Sequence, residues 1–297
     1  MGMTEKVIIN AAITGMVPMK ADSPHVPISV EEIVADARRC VDAGAAILHL
    51  HARDEMGLAT YVPEVYRGIL RGVRAACPEV ILCVSTSGRT HKLFEQRSAV
   101  LEVTDPAPEM ASLTLGSMNF AKDASMNAPD MIRALGRRML ERGIVPELEV
   151  FELGMAEFTH YLIKQGVLQA PLYCNVLLGN LGTLSATRSN LEACVRALPK
   201  ETTWAAAGIG RFQLAMNTMA IELGGHVRVG LEDNLWFDEG RTTLATNAMF
   251  IERLVQIARR VGREIATAGE ARQMIGLREP AARIGVTSEA CKRPSAV

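Results

Sequence analysis

Two histidines that lie two positions apart in the segment LHLHARD have the spacing of metal ligands. Side chains at alternate positions of a β-strand point to the same face, so the imidazoles of His49 and His51 would point the same way. Glu232, in the distant segment HVRVGLEDN, supplies a carboxylate. Two imidazoles and one carboxylate with an open fourth position are typical of a catalytic zinc site. The alternative is that His49 and His51 are core histidines that donate to backbone carbonyls, with Glu232 a solvent-exposed loop acid.

An arginine and an aspartate lie close to Glu232 in the sequence. Arg228 could hold a carboxylate through two parallel hydrogen bonds and so orient an acidic substrate. Asp233, beside these charges, is expected to keep a low pKa and to act as a base. The alternative is an ordinary ion pair between Arg228 and Asp233 at the barrel rim. The pattern alone leaves both interpretations open.

Three hydroxyl side chains, those of Ser85, Thr86 and Ser87, precede Gly88 at the end of a predicted strand. Hydroxyls both donate and accept hydrogen bonds, so this segment would suit a substrate carboxylate or carbonyl. No histidine and aspartate can be assigned to them in a triad, so nucleophilic serine catalysis has little support.

The elements that would carry these residues alternate regularly between strand and helix. Strands are predicted over 7–12, 46–51, 80–84, 110–115, 145–151, 172–178, 203–207 and 226–229. Helices are predicted over 29–43, 63–77, 127–142, 155–165, 187–198, 212–223 and 243–261. Eight βα units at a spacing of about 35 residues predict a (β/α)8 TIM barrel, whose functional residues gather at the carboxyl ends of the strands.

An open doubly wound sheet is the competing architecture. Its fingerprint would be a GxGxxG turn after the first strand, whereas this chain has TGMVP at 14–18. The glycine-rich loops at 179–182 and 208–210 also lack that spacing, so we interpret them as tight turns. No Pro- or Ser-rich linker divides the chain, which predicts a single domain over 1–297 with an irregular tail from about 278.

Composition excludes several classes of protein. The chain of 297 residues is 48% hydrophobic and 22% charged, as in ordinary globular domains. Its 32 lysines and arginines match 33 acidic residues, so no basic excess indicates a nucleic-acid partner. Neither a membrane-spanning apolar run nor a secretory signal is evident, and we expect a cytoplasmic protein with no membrane partner. The six scattered cysteines form no CxxC pair and are interpreted as reduced core residues.

Six segments together resemble the β-keto acid cleavage enzymes, a family of zinc-dependent TIM barrels. They are AAITG, AGAAILHLHARDEMG, VSTSGR, PEMASLTLGSMNF, VPELEVFELGM and GGHVRVGLEDNLW. The resemblance extends from residue 7 to about 277, and its most specific parts are HLHxRD and HVRVGLEDN.

The resemblance implies a reaction and assigns roles to residues. It implies that a β-keto acid and acetyl-CoA are converted to acetoacetate and a new acyl-CoA, and that the enzyme is a homotetramer with one zinc ion per chain. The implied metal ligands are His49, His51 and Glu232; the implied catalytic residues are Asp233, Arg228 and Ser85. The implied substrate-binding residues are Thr114, with Ser112 as the less secure match, Val17, Ser87 and Gly88.

One position departs from the family pattern. Members that use an amino-bearing substrate place a glutamate shortly after the glycine of the first strand, whereas this chain has Val17. We therefore expect the substrate's side group to be uncharged, apolar or differently charged. Met16 and Met19 could shape the pocket, since methionine adapts to irregular apolar groups. Lys20 is expected at the surface.

Other functions remain open at this point. A metal-dependent hydrolase or a class II-like aldolase could use the same barrel, although amidohydrolases place further metal histidines on later strands, and His160 and His226 do not fit that role. A metal- or acyl-CoA-binding protein without turnover is a third interpretation. Arg89 and Arg97 could contact the phosphates of CoA or lie on the surface.

Overall fold

Eight parallel strands close into a barrel in the computed structural model, which describes residues 6–277. They are β1 (Ile9–Ala12), β2 (Ile47–Leu50), β3 (Ile81–Val84), β4 (Met110–Thr114), β5 (Val145–Val150), β6 (Leu172–Leu178), β7 (Thr202–Gly208) and β8 (His226–Val229). Each strand pairs with its successor in the chain, and β8 pairs with β1 to close the ring. The predicted (β/α)8 barrel is confirmed, and the predicted tail from about 278 lies outside the described residues.

Helices surround the barrel. They are α1 (Val30–Ala43), α2 (Pro63–Ala76), α3 (Phe94–Ser98), α4 (Pro129–Arg142), α5 (Leu153–Lys164), α6 (Arg188–Ala197), α7 (Gln213–Glu222), α8 (Asn247–Arg260) and α9 (Ala268–Ile275). Local chemistry fixes several of their starts. Ser29 and Glu32 form a reciprocal capping box at α1. Proline occupies the first turn of α2 and of α4, where its missing N–H leaves no hydrogen bond unmade.

Three differences from the predicted elements have local causes. The helix predicted from 243 begins at Asn247, because Thr246 is its N-cap and the preceding segment pairs through an isolated bridge between Trp236 and Leu244. Helix α3, between β3 and β4, was not predicted, because its five residues are too few to show a helical period. Helix α9 was not predicted, although a capping box opens it at Thr267.

The interior of the barrel is divided into an apolar and a polar half. At the amino ends of the strands, Ile8, Ile47, Ile81 and Met110 pack together, and α9 contributes Ile275 to the same cluster. Towards the carboxyl ends the buried side chains are polar or charged; they include Asn10, His49, Glu147, Glu149, Asn175 and Arg228. Because buried charges are retained only where they are paired, this polar half is the expected location of chemistry.

Five cysteines of the described region, at positions 40, 77, 83, 174 and 194, are buried and free. This confirms the interpretation of those five as reduced core residues; Cys291 lies outside the described residues. Among residues 6–277, no helix combines the length and the apolar character needed to span a membrane.

Candidate active site

A cavity of about 280 Å³ opens at the carboxyl ends of the strands. Its lining includes all three predicted metal ligands together with Arg228 and Asp233. Residues that are far apart in the sequence therefore meet at one end of the barrel, as the strand order requires.

The three predicted metal ligands converge. The Nε2 atoms of His49 and His51 are 3.1 Å apart, and His51 Nε2 is 3.2 Å from Glu232 Oε1. His49 Nε2 is 3.7 Å from the second oxygen of Glu232. Ligands of a tetrahedral ion with bonds near 2.1 Å lie roughly 3.3 Å apart, so this set fits a divalent metal. Glu232 Oε2 is also buried without a hydrogen-bond partner among the described residues, as suits a carboxylate oxygen that binds a metal ion.

Two glycines allow Glu232 to reach the histidines. Gly230 ends β8 with φ at 157°, and a Cβ there would lie 2.1 Å from the carbonyl oxygen of Ala12. Gly15 has φ at +69°, and a Cβ there would lie 2.7 Å from Glu232 Cγ. A side chain at position 230 would therefore push the loop after β8 away from β1, and one at position 15 would displace the Glu232 carboxylate.

Glu147 orients His49. Its Oε2 is 2.6 Å from His49 Nδ1, and Asn10 donates to its other oxygen at 2.5 Å. With Nδ1–H donating to Glu147, Nε2 faces His51 and Glu232, where a metal ion would take the place of its proton. Burial, the largest single influence, lowers the pKa of His49, but the carboxylates of Glu147 and Glu232 together outweigh it and raise the pKa to about 9. Burial would raise the pKa of Glu147, but the same contact lowers it to about 2.

Arg228 joins the remaining acids into one network. Its guanidinium lies 3.0 Å from Glu149 Oε1, 3.0 Å from Glu232 Oε1 and 3.2 Å from Asp233 Oδ2. The arginine is buried, and burial opposes its charge, yet these carboxylates hold its pKa well above the usual value. Arg228 is therefore a charged residue in the wall of the cavity, bound to three acids rather than to Asp233 alone.

The expected low pKa of Asp233 is wrong. Burial raises the pKa of this carboxyl; Arg228 opposes that shift, and the adjacent Glu232 carboxylate adds to it. The charges next to Asp233 were visible in the sequence, whereas its burial was not. A raised pKa makes Asp233 a better proton acceptor, because a carboxylate of ordinary acidity is a weak base near neutral pH.

The predicted hydroxyl residues divide into two groups. Ser85, Ser87 and Thr114 line the cavity, and Thr114 donates to Glu149 Oε2 at 2.6 Å. Ser112 is not part of the lining, and its hydroxyl accepts from the backbone N–H of Thr86 at 3.1 Å. Of the two matches considered on the fourth strand, Thr114 is therefore the one that faces the cavity.

Gly88 also lies beside the cavity rather than in its lining, packed against the carbonyl of Met126 and the guanidinium of Arg97. Arg97 itself is buried and donates to the carbonyl oxygens of Thr86 and Met126 and to Asn127. It is therefore not available to the phosphates of CoA.

The loop after β1 forms one rim of the cavity. Met16 and Val17 line it, and Val17 is 50% exposed. Arg53, from the HLHxRD motif, holds this loop by donating to the carbonyls of Gly15 at 2.8 Å and Pro18 at 2.9 Å. The sulfur of Met19 lies 3.4 Å from the same guanidinium, outside the lining, so its predicted role in the pocket is not supported.

Lys20 pairs with Glu32 at 2.7 Å and is exposed, which confirms the prediction for that residue.

The two histidines that were not predicted to bind metal, His160 and His226, lie away from the cavity. His226 accepts from the backbone N–H of Ile8 at 3.1 Å at the opposite end of the barrel, and burial lowers its pKa to about 3. His160 lies beside the carbonyl of Ala197.

Two acids and one hairpin of the cavity were not predicted from the sequence. Glu147 and Glu149 stand two positions apart in the buried strand segment VPELEVF, the same spacing that identified the histidines, and this signal could have been used. The missed element is a short hairpin that pairs Met118–Asn119 with Ala124–Ser125. Its loop places Phe120 on the cavity, and no regular pattern marks so short a hairpin.

Comparison with known proteins finds relatives that match almost the whole chain. A family model described as beta-keto acid cleavage enzyme matches residues 6–277. A 3-keto-5-aminohexanoate cleavage enzyme of Fusobacterium nucleatum is 40% identical over 278 residues, which cover 93% of this chain and 100% of the relative. A 3-oxoadipate:acetyl-CoA acetyltransferase of Cupriavidus necator is 36% identical over 278 residues, covering 93% of this chain and 96% of the relative.

Among solved structures, the binary complex of ObcA with oxaloacetate is similar in fold. It has a TM-score of 0.74 and 24% sequence identity, and the match covers 87% of this chain and 68% of that chain. At this identity the likeness concerns the barrel alone.

Proposed function

The chain belongs to the β-keto acid cleavage enzyme family, and we propose that it transfers the acyl group of a β-keto acid to the CoA of acetyl-CoA. The substrate R–CO–CH2–COO⁻ and acetyl-CoA would give R–CO–SCoA and acetoacetate. The bond between C2 and C3 of the keto acid breaks, and C2 forms a new bond to the acetyl carbonyl carbon. The thioester passes from the acetyl group to R–CO, so atoms and electrons balance without a further reactant.

The observation that carries this proposal is the convergence of three metal-ligand atoms at a cavity that also contains Asp233 and Arg228. His49, His51 and Glu232 would hold one ion per chain, and we propose zinc because two imidazoles, one carboxylate and an open position suit it. The bound ion would polarise the keto oxygen as a Lewis acid, which makes the protons on C2 more acidic.

Asp233 is the proposed base. It lines the cavity beside Glu232, and its raised pKa suits proton abstraction from C2. Arg228 holds the Asp233 carboxylate in place and offsets the negative charge of the surrounding acids. Glu149 forms an ion pair with Arg228 and accepts a hydrogen bond from the Thr114 hydroxyl. Once deprotonated, C2 attacks the acetyl carbonyl carbon and releases the CoA thiolate.

The remaining steps need orientation more than acid–base chemistry. The released thiolate attacks the C3 carbonyl of the adduct, and the C2–C3 bond breaks to leave acetoacetate as its carbanion, which takes back the proton from Asp233. Ser85 and Ser87 line the cavity and are the proposed hydrogen-bond partners of the substrate carboxylate. Each step would fail if the substrate could rotate in the cavity.

A test follows the acetyl carbon. Enzyme incubated with a panel of β-keto acids and acetyl-CoA labelled with ¹³C at the carbonyl should form acetoacetate labelled at C3, together with one equivalent of a new, unlabelled acyl-CoA. Mass spectrometry measures both products. Consumption of the keto acid without acetyl-CoA would instead indicate the hydrolase or aldolase alternative, for which the described residues offer no third histidine at the site. The implied homotetramer is tested by light scattering on the purified protein.

A further inference from the structure

Arg89 lines the cavity with a guanidinium that has no hydrogen-bonded partner within residues 6–277. Its Nε is buried and unsatisfied, and its side chain is 21% exposed. The backbone N–H of Arg89 donates to Ser87 Oγ at 3.3 Å, so the residue continues the hydroxyl segment that follows β3. Arg228 is the other arginine of the lining, and it is engaged by three acids. Arg89 is therefore the arginine of this lining whose hydrogen-bonding edge is available to a ligand.

The hairpin holds the Arg89 side chain in place without accepting hydrogen bonds from its guanidinium. The guanidinium carbon lies 4.0 Å from the centre of the Phe120 ring. This cation–π contact uses the face of the guanidinium and leaves the N–H groups at its edge for hydrogen bonds. Asp123 Oδ2 is 3.5 Å from Nε in a geometry that forms no hydrogen bond, and the Asp123 side chain is 58% exposed. A planar donor edge that is already oriented matches a carboxylate through two parallel hydrogen bonds.

The other charges of the cavity make an anionic side group the best match. Glu149, Glu232 and Asp233, the acids of the lining, are all bound to Arg228. The rim formed by the loop after β1, next to Glu232, carries Val17, which offers no counter-charge to an ammonium group. Asp123, the acid beside Arg89, lies outside the lining, so a cationic side group would meet the Arg89 charge, whereas an anionic side group would accept hydrogen bonds from its N–H groups.

The position of Arg89 separates this anion from the carboxylate that every β-keto acid carries. That common carboxylate is two bonds from the keto carbon, so it stays near the buried metal ligands, close to Ser85. Arg89 lies four residues beyond Ser85 on a more exposed part of the wall, against the hairpin. We therefore assign to Arg89 an anion other than the carboxylate beside Ser85.

We propose that Arg89 is a specificity-determining residue that binds a carboxylate at the far end of the substrate's side group. The preferred substrate is then a 3-oxo-dicarboxylate, and the acyl-CoA product keeps that second carboxylate free. This inference rests on the proposed function and specifies its substrate class.

Two acids of equal chain length test the inference, because 3-oxoadipate differs from 3-oxohexanoate only in its terminal carboxylate. The wild-type enzyme should have a kcat/KM for 3-oxoadipate at least about tenfold above that for 3-oxohexanoate. Arg89→Ala should lower the value for 3-oxoadipate about 100-fold and change that for 3-oxohexanoate less than about threefold. Arg89→Lys, which keeps the charge and loses the planar fork, should recover part of the loss.

Lys122→Ala is the matched control, because Lys122 is an exposed cation of the same hairpin outside the lining. It should leave both values unchanged, and thermal melts should show all variants folded. Equal losses for the two acids in Arg89→Ala would mean that Arg89 binds the common carboxylate, and a raised KM for acetyl-CoA would mean that it binds a CoA phosphate. Either result, or a wild-type preference for 3-oxohexanoate, overturns the inference and leaves the reaction intact. Failure of both acids and of the wider panel to yield acetoacetate overturns the proposed function itself.

Discussion

The carboxylate of Glu147 on β5 meets Nδ1 of His49 on β2 at 2.6 Å inside the barrel. The two side chains are 98 positions apart in the sequence and both are fully enclosed. The contact determines which nitrogen of His49 carries the proton, and it leaves Nε2 facing His51 and Glu232. The proposed metal site thus depends on a residue that is not one of its three ligands.

Replacement of Glu147 should weaken metal binding while the three ligands remain. In Glu147→Gln the side chain keeps its size but loses the charge that favours the Nδ1–H tautomer, so we expect zinc affinity to fall roughly 10- to 100-fold. Competition with a chromophoric chelator measures this affinity. Glu157→Gln, at an exposed position of α5, is the matched control and should bind zinc as the wild type does. Unchanged affinity in Glu147→Gln would refute the positioning role.

Gly15→Ala should disturb the same site from the loop after β1. The new Cβ would lie 2.7 Å from Glu232 Cγ, so the carboxylate must move away from the histidines. We expect the purified variant to hold less zinc per chain by elemental analysis. Gly143→Ala is a stringent control, because Gly143 has a nearly equal φ of +67° with nothing within 4 Å of its Cβ position. Both variants should lose stability, about 1–2 kcal/mol from the left-handed backbone, but the control should keep its metal.

Asp233→Asn should separate catalysis from metal binding. The substitution keeps the shape of the side chain and removes its ability to accept a proton, so turnover should fall about 10²- to 10⁴-fold. Zinc content should stay at the wild-type level, whereas His49→Ala should lose the metal as well as turnover. Parallel assays of acetoacetate formation and of zinc per chain distinguish the two variants. An Asp233→Asn enzyme that kept most of its turnover would assign the base to another residue.

The barrel and the placement of His49 and His51 on one face could be predicted because both depend on short-range patterns. Alternating strands and helices specify the order of the barrel, and a spacing of two places His49 and His51 on one face. The contact between Glu147 and His49 links β5 to β2, and no local pattern encodes which inward side chains meet across a barrel. The pKa of Asp233 likewise depends on burial, which neighbouring residues in the sequence do not reveal.

The absence of a carboxylate at position 17 can be tested by adding one. Val17 is 50% exposed on the rim of the cavity, so Val17→Glu introduces a charge with little desolvation. An ammonium group on the substrate would gain an ion pair there, and we expect kcat/KM for 3-keto-5-aminohexanoate to rise about tenfold or more, with no gain for 3-oxohexanoate. Val17→Gln has the same shape without the charge and should show no such gain. If Val17→Gln and Val17→Glu improved the amino-bearing substrate equally, side-chain size rather than charge would explain the effect, and the interpretation of Val17 would be wrong.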